Sequence, residues 1–320
     1  MPIIDLPLEQ LQAYKGINEC PDDLDAYWDE AIAEMEALGN GYELTPAAFQ
    51  VPGAECYELW YEGVGHARIH GHFVRPANRN GVVPAVLEFH GYACNAGDYA
   101  HLLKWACAGY CAAAIDCRGQ GGSSEDRGTP LGNTQHGDII RGLEDPDKKK
   151  LYYRSVFLDT AQLARIVMHM PEVDERRVSA YGSSQGGGLT LACAALTPTL
   201  YRAAPFMPFL SDYRRVWEMD LAVDAYAELR EFFRFRDPKH EREAAWFTKL
   251  GYIDVHNMAH RIACKVRMYT GLMDAICPPS TQFAAYNSIV SEKEMVIYPD
   301  YAHENYPEAE DDLMQFFLKP

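Results

Sequence analysis

Apolar and polar residues follow two different periods along this chain. Positions 56–64 and 67–76 alternate apolar and polar side chains around a glycine-containing turn, which predicts an antiparallel hairpin. Further strands are predicted at 84–89, 110–115, 203–206, 265–270 and 295–298, and another ends at Tyr181. The segment 84–89 is a continuous, mostly apolar run, which is typical of a strand covered on both faces.

The segments between these predicted strands have apolar residues at helical spacing. It is found at 22–38, 98–108, 151–170, 280–289 and 307–318, the last with Pro307 at its start. Strands that alternate with helices predict an α/β fold with a mostly parallel, doubly wound sheet, here as a single domain over 1–320.

Two segments depart from that alternation. Residues 1–45 are predicted to form an N-terminal helical extension on the outside of the domain. Residues 211–262 contain helical stretches and no predicted strand, directly before the strand at 265–270. A connection of this length is typical of a lid or an oligomer contact, and extra packing on the core is the alternative.

The composition excludes several classes of protein. The 320 residues are 48% hydrophobic and 23% charged, which suits a large packed core, and the net charge of −17 disfavours nucleic acid and anionic membranes as partners. We see neither a membrane-spanning apolar run nor a secretory signal. The nine cysteines form no C-x-x-C pair, which indicates reduced thiols and a cytoplasmic location. The histidines and cysteines between 90 and 117 are expected to pack rather than to bind a metal.

The strand that ends at Tyr181 leads into Gly182-Ser183-Ser184-Gln185-Gly186, which fits G-x-S-x-G. A strand, a tight turn and a helix in this order form a nucleophile elbow, with the serine on the turn. Ser184 is therefore the predicted nucleophile. A serine hydroxyl needs a base to accept its proton, and an acid follows the serine and precedes the histidine in this architecture.

The base and the acid are sought after Ser184. His303 follows the last predicted strand, whereas the other late histidines, His240, His256 and His260, fall in the helical segment. Asp274 follows the preceding strand and is the predicted acid. Asp300 and Glu304 are its rivals, but they lie so close to His303 that they would compete with the turn carrying it.

The tetrahedral intermediate needs two N–H donors for its oxyanion. We predict the amide of Gln185, directly after the nucleophile, and the amide of Tyr92, in the loop after the strand at 84–89. No cofactor is required for this chemistry.

These residues together resemble carbohydrate esterase family seven, the acetyl xylan esterases and cephalosporin C deacetylases. Its markers stand here as Arg118-Gly119-Gln120, the elbow at 182–186 and His303-Glu304. The resemblance covers nearly the whole chain, including 271–286 and 298–304. It implies an α/β-hydrolase fold and the triad Ser184, Asp274 and His303.

The resemblance also implies a substrate class and an assembly. Family members remove acetyl groups from small acetylated sugars such as xylooligosaccharides and from cephalosporin C-type esters, and they are typically ring-shaped hexamers. It implies substrate contacts from Phe209 and Ile276, beside Tyr92. Arg118 is expected to tie loops together through bidentate hydrogen bonds rather than to act in the reaction.

Two alternatives stay open. One is another hydrolase of the same fold, a peptidase or a lactone hydrolase, against which the markers at 118–120 and 303–304 argue. The other is a non-catalytic binding protein, although such proteins usually lose a triad member. The physiological ester is not indicated by the sequence.

Overall fold

A computed structural model describes residues 4–131 and 137–319. Within that part of the chain, nine strands form one sheet in the order β1-β2-β3-β5-β4-β6-β7-β8-β9. The strands are β1 Tyr42–Pro46, β2 Ala54–Gly63, β3 Ala67–Pro76, β4 Val83–Phe89, β5 Cys111–Ile115, β6 Val173–Ser183, β7 Arg202–Phe206, β8 Lys265–Gly271 and β9 Lys293–Tyr298. The first three strands are antiparallel, and the six strands β4 to β9 run parallel to one another. The predicted hairpin and the mostly parallel α/β sheet are confirmed.

The helices cover both faces of this sheet. They are α1 Leu8–Leu11, α2 Leu24–Glu36, α3 Tyr99–Cys107, α4 Tyr152–Met168, α5 Gln185–Leu196, α6 Tyr213–Glu218, α7 Ala227–Arg236, α8 Glu243–Leu250, α9 Val255–Met258, α10 Pro279–Ser288 and α11 Ala309–Leu318. None of the described helices is long and apolar enough to cross a membrane.

Strand β4 shows why the core has two halves. Its successive side chains point to opposite faces. Leu87 belongs to the apolar cluster that contains α4 and α5, whereas Val86 belongs to the cluster formed with α3 and α11. A strand covered on both faces is mostly apolar, which is why the sequence showed a largely apolar run here, interrupted by Glu88.

Two predicted boundaries are wrong. The helical extension over 1–45 ends in a strand, because 42–45 belong to β1 at the sheet edge, where a half-exposed strand has no clear apolar period. The last helix begins at Ala309 and not at Pro307. Glu308 has a φ of 62°, a left-handed conformation that cannot continue a helix from the proline.

The segment 211–262 is helical, as the sequence predicted. Its described residues form α6 to α9 with three short 3-10 helices between and after them, and no strand. Buried aromatic side chains from this segment join the main apolar core, among them Tyr213, Tyr226, Phe232 and Phe233. The segment is thus packed onto the sheet domain.

Candidate active site

Ser184 lies at the sharp turn between β6 and α5. Its backbone has a φ of 58° and a ψ of −117°, a conformation that costs a non-glycine residue on the order of 1–3 kcal/mol. Two hydrogen bonds hold it there: the Ser184 N–H donates to the Phe206 carbonyl at 3.0 Å, and the Phe209 N–H donates to the Ser184 carbonyl at 3.0 Å. Neighbouring strand β7 and the chain after it therefore stabilise the strained turn.

The glycines of the elbow are required by close packing. A Cβ atom at Gly186 would lie 1.9 Å from the Phe89 carbonyl oxygen, and one at Gly182 would lie 2.5 Å from the same oxygen. No side chain fits at either position without moving the backbone of β4. The G-x-S-x-G spacing thus follows from the packing of β6 and α5 against that strand.

His303 and Asp274 are paired as the sequence predicted. Nδ1 of His303 lies 2.8 Å from Oδ2 of Asp274, and the aspartate is fully buried. Oδ1 of Asp274 accepts hydrogen bonds from the N–H groups of Ile276 at 2.9 Å and Cys277 at 2.8 Å. Oδ2 also accepts from Nε2 of Gln282 at 3.1 Å. The carboxylate is thus oriented on both oxygens, and it fixes the imidazole ring.

The rival acids do not reach the imidazole. Asp300 is exposed. Glu304 is exposed too and accepts a hydrogen bond from the Ala302 N–H at 3.1 Å, within its own turn. Glu304 therefore stabilises the turn that carries His303, and Asp300 lies exposed in the same loop.

Ser184, Asp274 and His303 follow β6, β8 and β9, which run parallel, so all three lie at the same edge of the sheet, with Cys277 beside the histidine–aspartate pair. The sulfur of Cys277 lies within 4.8 Å of ring and carboxylate atoms of His303 and Asp274, and the Ser184 side chain is one of the groups that influence the pKa of this thiol. Burial raises the pKa of this thiol well above its usual value, so it stays protonated. A cation bound among these atoms would displace the hydrogen bonds of Asp274, so we assign no metal here.

A hydrogen-bond network joins the two segments that carry the predicted oxyanion donors. The amide of Gln185 opens α5, where N–H groups lack intrahelical partners. Gln120 donates from Nε2 to Oε1 of Gln185 at 2.8 Å and accepts at Oε1 from the Ala93 N–H at 3.1 Å. The side chain of Gln120 therefore links the elbow helix to the loop that carries Tyr92.

His90 fixes the other end of that loop. Its Nδ1–H donates to the Gly91 carbonyl at 2.7 Å, and its Nε2 accepts from the Cys117 N–H at 2.9 Å. This pattern requires the neutral ring. Burial lowers the pKa of His90, in agreement with it.

The helical segment 211–262 reaches the site through Glu228. The Tyr92 hydroxyl donates to Oε1 of Glu228 at 3.1 Å, and the Ile140 N–H donates to Oε2 at 2.9 Å. Burial is the main cause that raises the pKa of Glu228 to about 8. The segment thus holds the side chain of Tyr92 in place through this hydrogen bond to its hydroxyl.

The predicted pocket residues lie at different depths. Tyr92 and Ile276 are half-buried, whereas Phe209 is fully buried. The Phe209 ring packs edge-on against Tyr92 with centroids 5.8 Å apart, and against Tyr226 at 4.3 Å. Phe209 thus supports the Tyr92 ring from the interior of the protein.

Arg118 has the structural contacts that the sequence indicated. Nε and Nη2 donate to the two carboxylate oxygens of Asp159 on α4, at 2.7 and 2.6 Å, and Nη1 donates to the Val64 carbonyl at 3.1 Å. The guanidinium is buried and ties the loop after β5 to α4 and to the hairpin turn. The bidentate geometry is confirmed.

Sequence reasoning missed three residues around the site: Gln120, Glu228 and Cys277. Gln120 could have been found, since it belongs to the Arg-Gly-Gln marker from which only the arginine was interpreted. Glu228 lies 136 positions from Tyr92, and no local pattern connects them. Cys277 resembled any buried cysteine until the fold placed it beside Asp274 and His303.

The fold and the geometry of the site define an α/β hydrolase. A family model for acetyl xylan esterase (AXE1) matches residues 1–320, so the chain belongs to that family of carboxylic ester hydrolases.

Individual relatives agree with this family. The structure of acetyl xylan esterase 1 from Thermoanaerobacterium sp. JW/SL YS485 is 53% identical with a TM-score of 0.96, covering 98% of this chain and 99% of that one. Acetyl xylan esterase from Paenibacillus sp. R4 is 37% identical with a TM-score of 0.93, over 98% and 99% of the two chains. Acetyl esterase Axe7A of Xylanibacter ruminicola is 25% identical over 301 residues, which are 90% of this chain but 65% of that relative's length.

Proposed function

We propose that this protein is a serine esterase that removes acetyl groups through an acyl-enzyme. Ser184 attacks the ester carbonyl while His303 takes its proton, and Asp274 holds the imidazole. The amides of Tyr92 and Gln185 stabilise the oxyanion, the alcohol leaves with the proton from His303, and water repeats the attack on the acetyl-serine. The observation that carries the proposal is the 2.8 Å contact between His303 and the fully buried Asp274, at the same edge of the parallel sheet as the strained Ser184.

The proposed substrates are small acetylated sugars, xylooligosaccharides above all, and cephalosporin C-type esters. Relatives named acetyl xylan esterase and acetyl esterase support the acetyl group. The half-buried Tyr92 and Ile276 beside the site support a small acyl pocket. The family resemblance also supports a homohexamer, which the molar mass in solution tests.

The decisive experiment is labelling with a fluorophosphonate, which forms a covalent bond only with an activated serine. The neighbouring Ser183, which is exposed in the same elbow, provides a matched control. We expect wild type and Ser183→Ala to be labelled and to hydrolyse acetylated xylobiose, and Ser184→Ala to do neither. Labelling that survives in Ser184→Ala and disappears in Ser183→Ala would contradict the assignment.

A further inference from the structure

We propose a second site in this protein, a binding site for a divalent transition-metal ion formed by Glu58, His70 and His72. The proposal is independent of the esterase mechanism. Glu58 lies on β2 directly opposite His72 on β3, and His70 lies two positions from His72 on the same face. One potential ligand atom from each of the three residues lies within 4.8 Å of the others.

His70 is held as metal-bound histidines usually are. Its Nδ1 lies 2.6 Å from Oδ2 of Asp116, and its Nε2 faces Oε2 of Glu58 at 2.5 Å. A carboxylate on one ring nitrogen fixes the ring and directs the other nitrogen toward the metal. Asp116 is itself fixed by the N–H groups of Ala96 at 2.8 Å and Ser123 at 2.7 Å.

The other two ligands are also oriented. Oε1 of Glu58 accepts a hydrogen bond from the Tyr99 hydroxyl at 2.6 Å, which leaves Oε2 directed at the cluster. The ring of His72 stacks on the ring of Tyr99 with centroids 4.0 Å apart. Nδ1 of His72 is buried and has no hydrogen-bond partner among the described residues. Such an unpaired buried nitrogen is uncommon in proteins.

The charges around the cluster favour a cation. Asp98 and Asp116 line the cleft that contains both histidines, and its described lining includes neither lysine nor arginine. Two imidazoles and one carboxylate form an open three-ligand zinc site, with room for water as the fourth ligand. Magnesium and calcium prefer all-oxygen sites, so a transition metal such as zinc fits this ligand set better.

Binding requires local movement of the ligands, that of Glu58 included. Two ligands of a tetrahedral zinc ion lie about 3.4 Å apart, so Oε2 of Glu58 must move away from Nε2 of His70. The side chain of Glu58 is 36% exposed, which leaves it room to move. The metal then takes the place of the proton between these two groups.

The test is a zinc titration by calorimetry. Exposed thiols also bind zinc, so the parent protein carries serine at Cys20, Cys94 and Cys107, the exposed cysteines. We expect one zinc per chain in this parent and in His169→Ala, a control at an exposed histidine elsewhere. Loss of a partner behind a ligand costs about 10- to 100-fold in affinity, so loss of a ligand in His72→Ala or Glu58→Gln should cost at least about 100-fold.

Two results would overturn the proposal. One is equal zinc affinity in the parent and in both ligand variants, and the other is no stoichiometric binding in the parent. Circular dichroism without metal establishes that each variant is folded. If His72→Ala does not fold, the zinc affinity of Glu58→Gln alone tests the proposal. This variant should fold, because the side chain at position 58 is partly exposed and glutamine has nearly the same size as glutamate. Magnesium in place of zinc should give no stoichiometric binding, and stoichiometric magnesium binding would contradict the assigned ligand chemistry.

Discussion

The substitution Asp274→Asn should abolish turnover while it preserves the fold. The asparagine Oδ1 can keep the two backbone hydrogen bonds from Ile276 and Cys277, so the turn stays in place. Its Nδ2, however, replaces an oxygen that faces two donors, His303 Nδ1 at 2.8 Å and Gln282 Nε2 at 3.1 Å. Rotation of Gln282 offers no relief, because Nε2 also donates to the Cys277 carbonyl at 2.6 Å.

The substitution changes the tautomer of the His303 imidazole. To accept from the new amide, Nδ1 of His303 must lose its proton, and the proton then sits on Nε2. In that tautomer the ring cannot take the proton of Ser184. The corresponding change in a serine triad costs about 10⁴-fold in kcat, or about 5.4 kcal/mol of transition-state stabilisation.

The assay compares kcat for an acetyl ester with the melting temperature of the same sample. Asp300→Asn is the matched control, since it makes the same change at an exposed acid in the His303 loop. We expect a loss of about 10⁴-fold for Asp274→Asn, little change for Asp300→Asn, and folded protein in both. Activity above about a hundredth of wild type in Asp274→Asn would refute the assigned role of the carboxylate.

Three further predictions concern stability and specificity. The pKa of Glu228 is raised from 4.5 to about 8, so its stabilising contribution is complete below about pH 4.5 and lost as the pH rises through 8. The free energy of unfolding of Glu228→Gln, measured by denaturant unfolding, should therefore rise relative to that of wild type by a few kcal/mol between pH 5 and 9. A difference that does not change with pH would contradict this. Arg118→Met should cost about 3–5 kcal/mol, since it leaves Asp159 buried and unpaired, and the double variant with Asp159→Leu should recover most of that loss. Butyryl esters should lose about ten-fold or more in kcat/KM against acetyl esters of one alcohol, because overfilling a pocket costs about 1–3 kcal/mol and each buried methylene gains about 0.8; a level or rising series would favour a general carboxylesterase.

The sequence determined by itself those features that depend on neighbours along the chain. The mostly apolar segments predicted the buried strands, because a strand covered by helices on both faces is largely apolar. The nucleophile elbow at 182–186 could be recognised from the sequence, since strand, turn and helix are consecutive there. The positions of Asp274 and His303 followed from the order of the strands, and the structure pairs them at 2.8 Å.

The tertiary structure alone decided the features that join distant segments. Gln120 meets Gln185 across 65 positions, and Glu228 meets Tyr92 across 136, contacts that leave no periodic trace in the sequence. The register of β2 against β3 places Glu58 beside His70 and His72, although alternation shows only that these residues share faces of their own strands. The edge strand β1 was missed because its pairing with β2 defines it, and the start of α11 was misplaced because the left-handed conformation of Glu308 is not visible in the apolar pattern. Local periodicity reports burial, whereas pairing, register and the depth of side chains such as Phe209 are fixed by the packing of the whole domain.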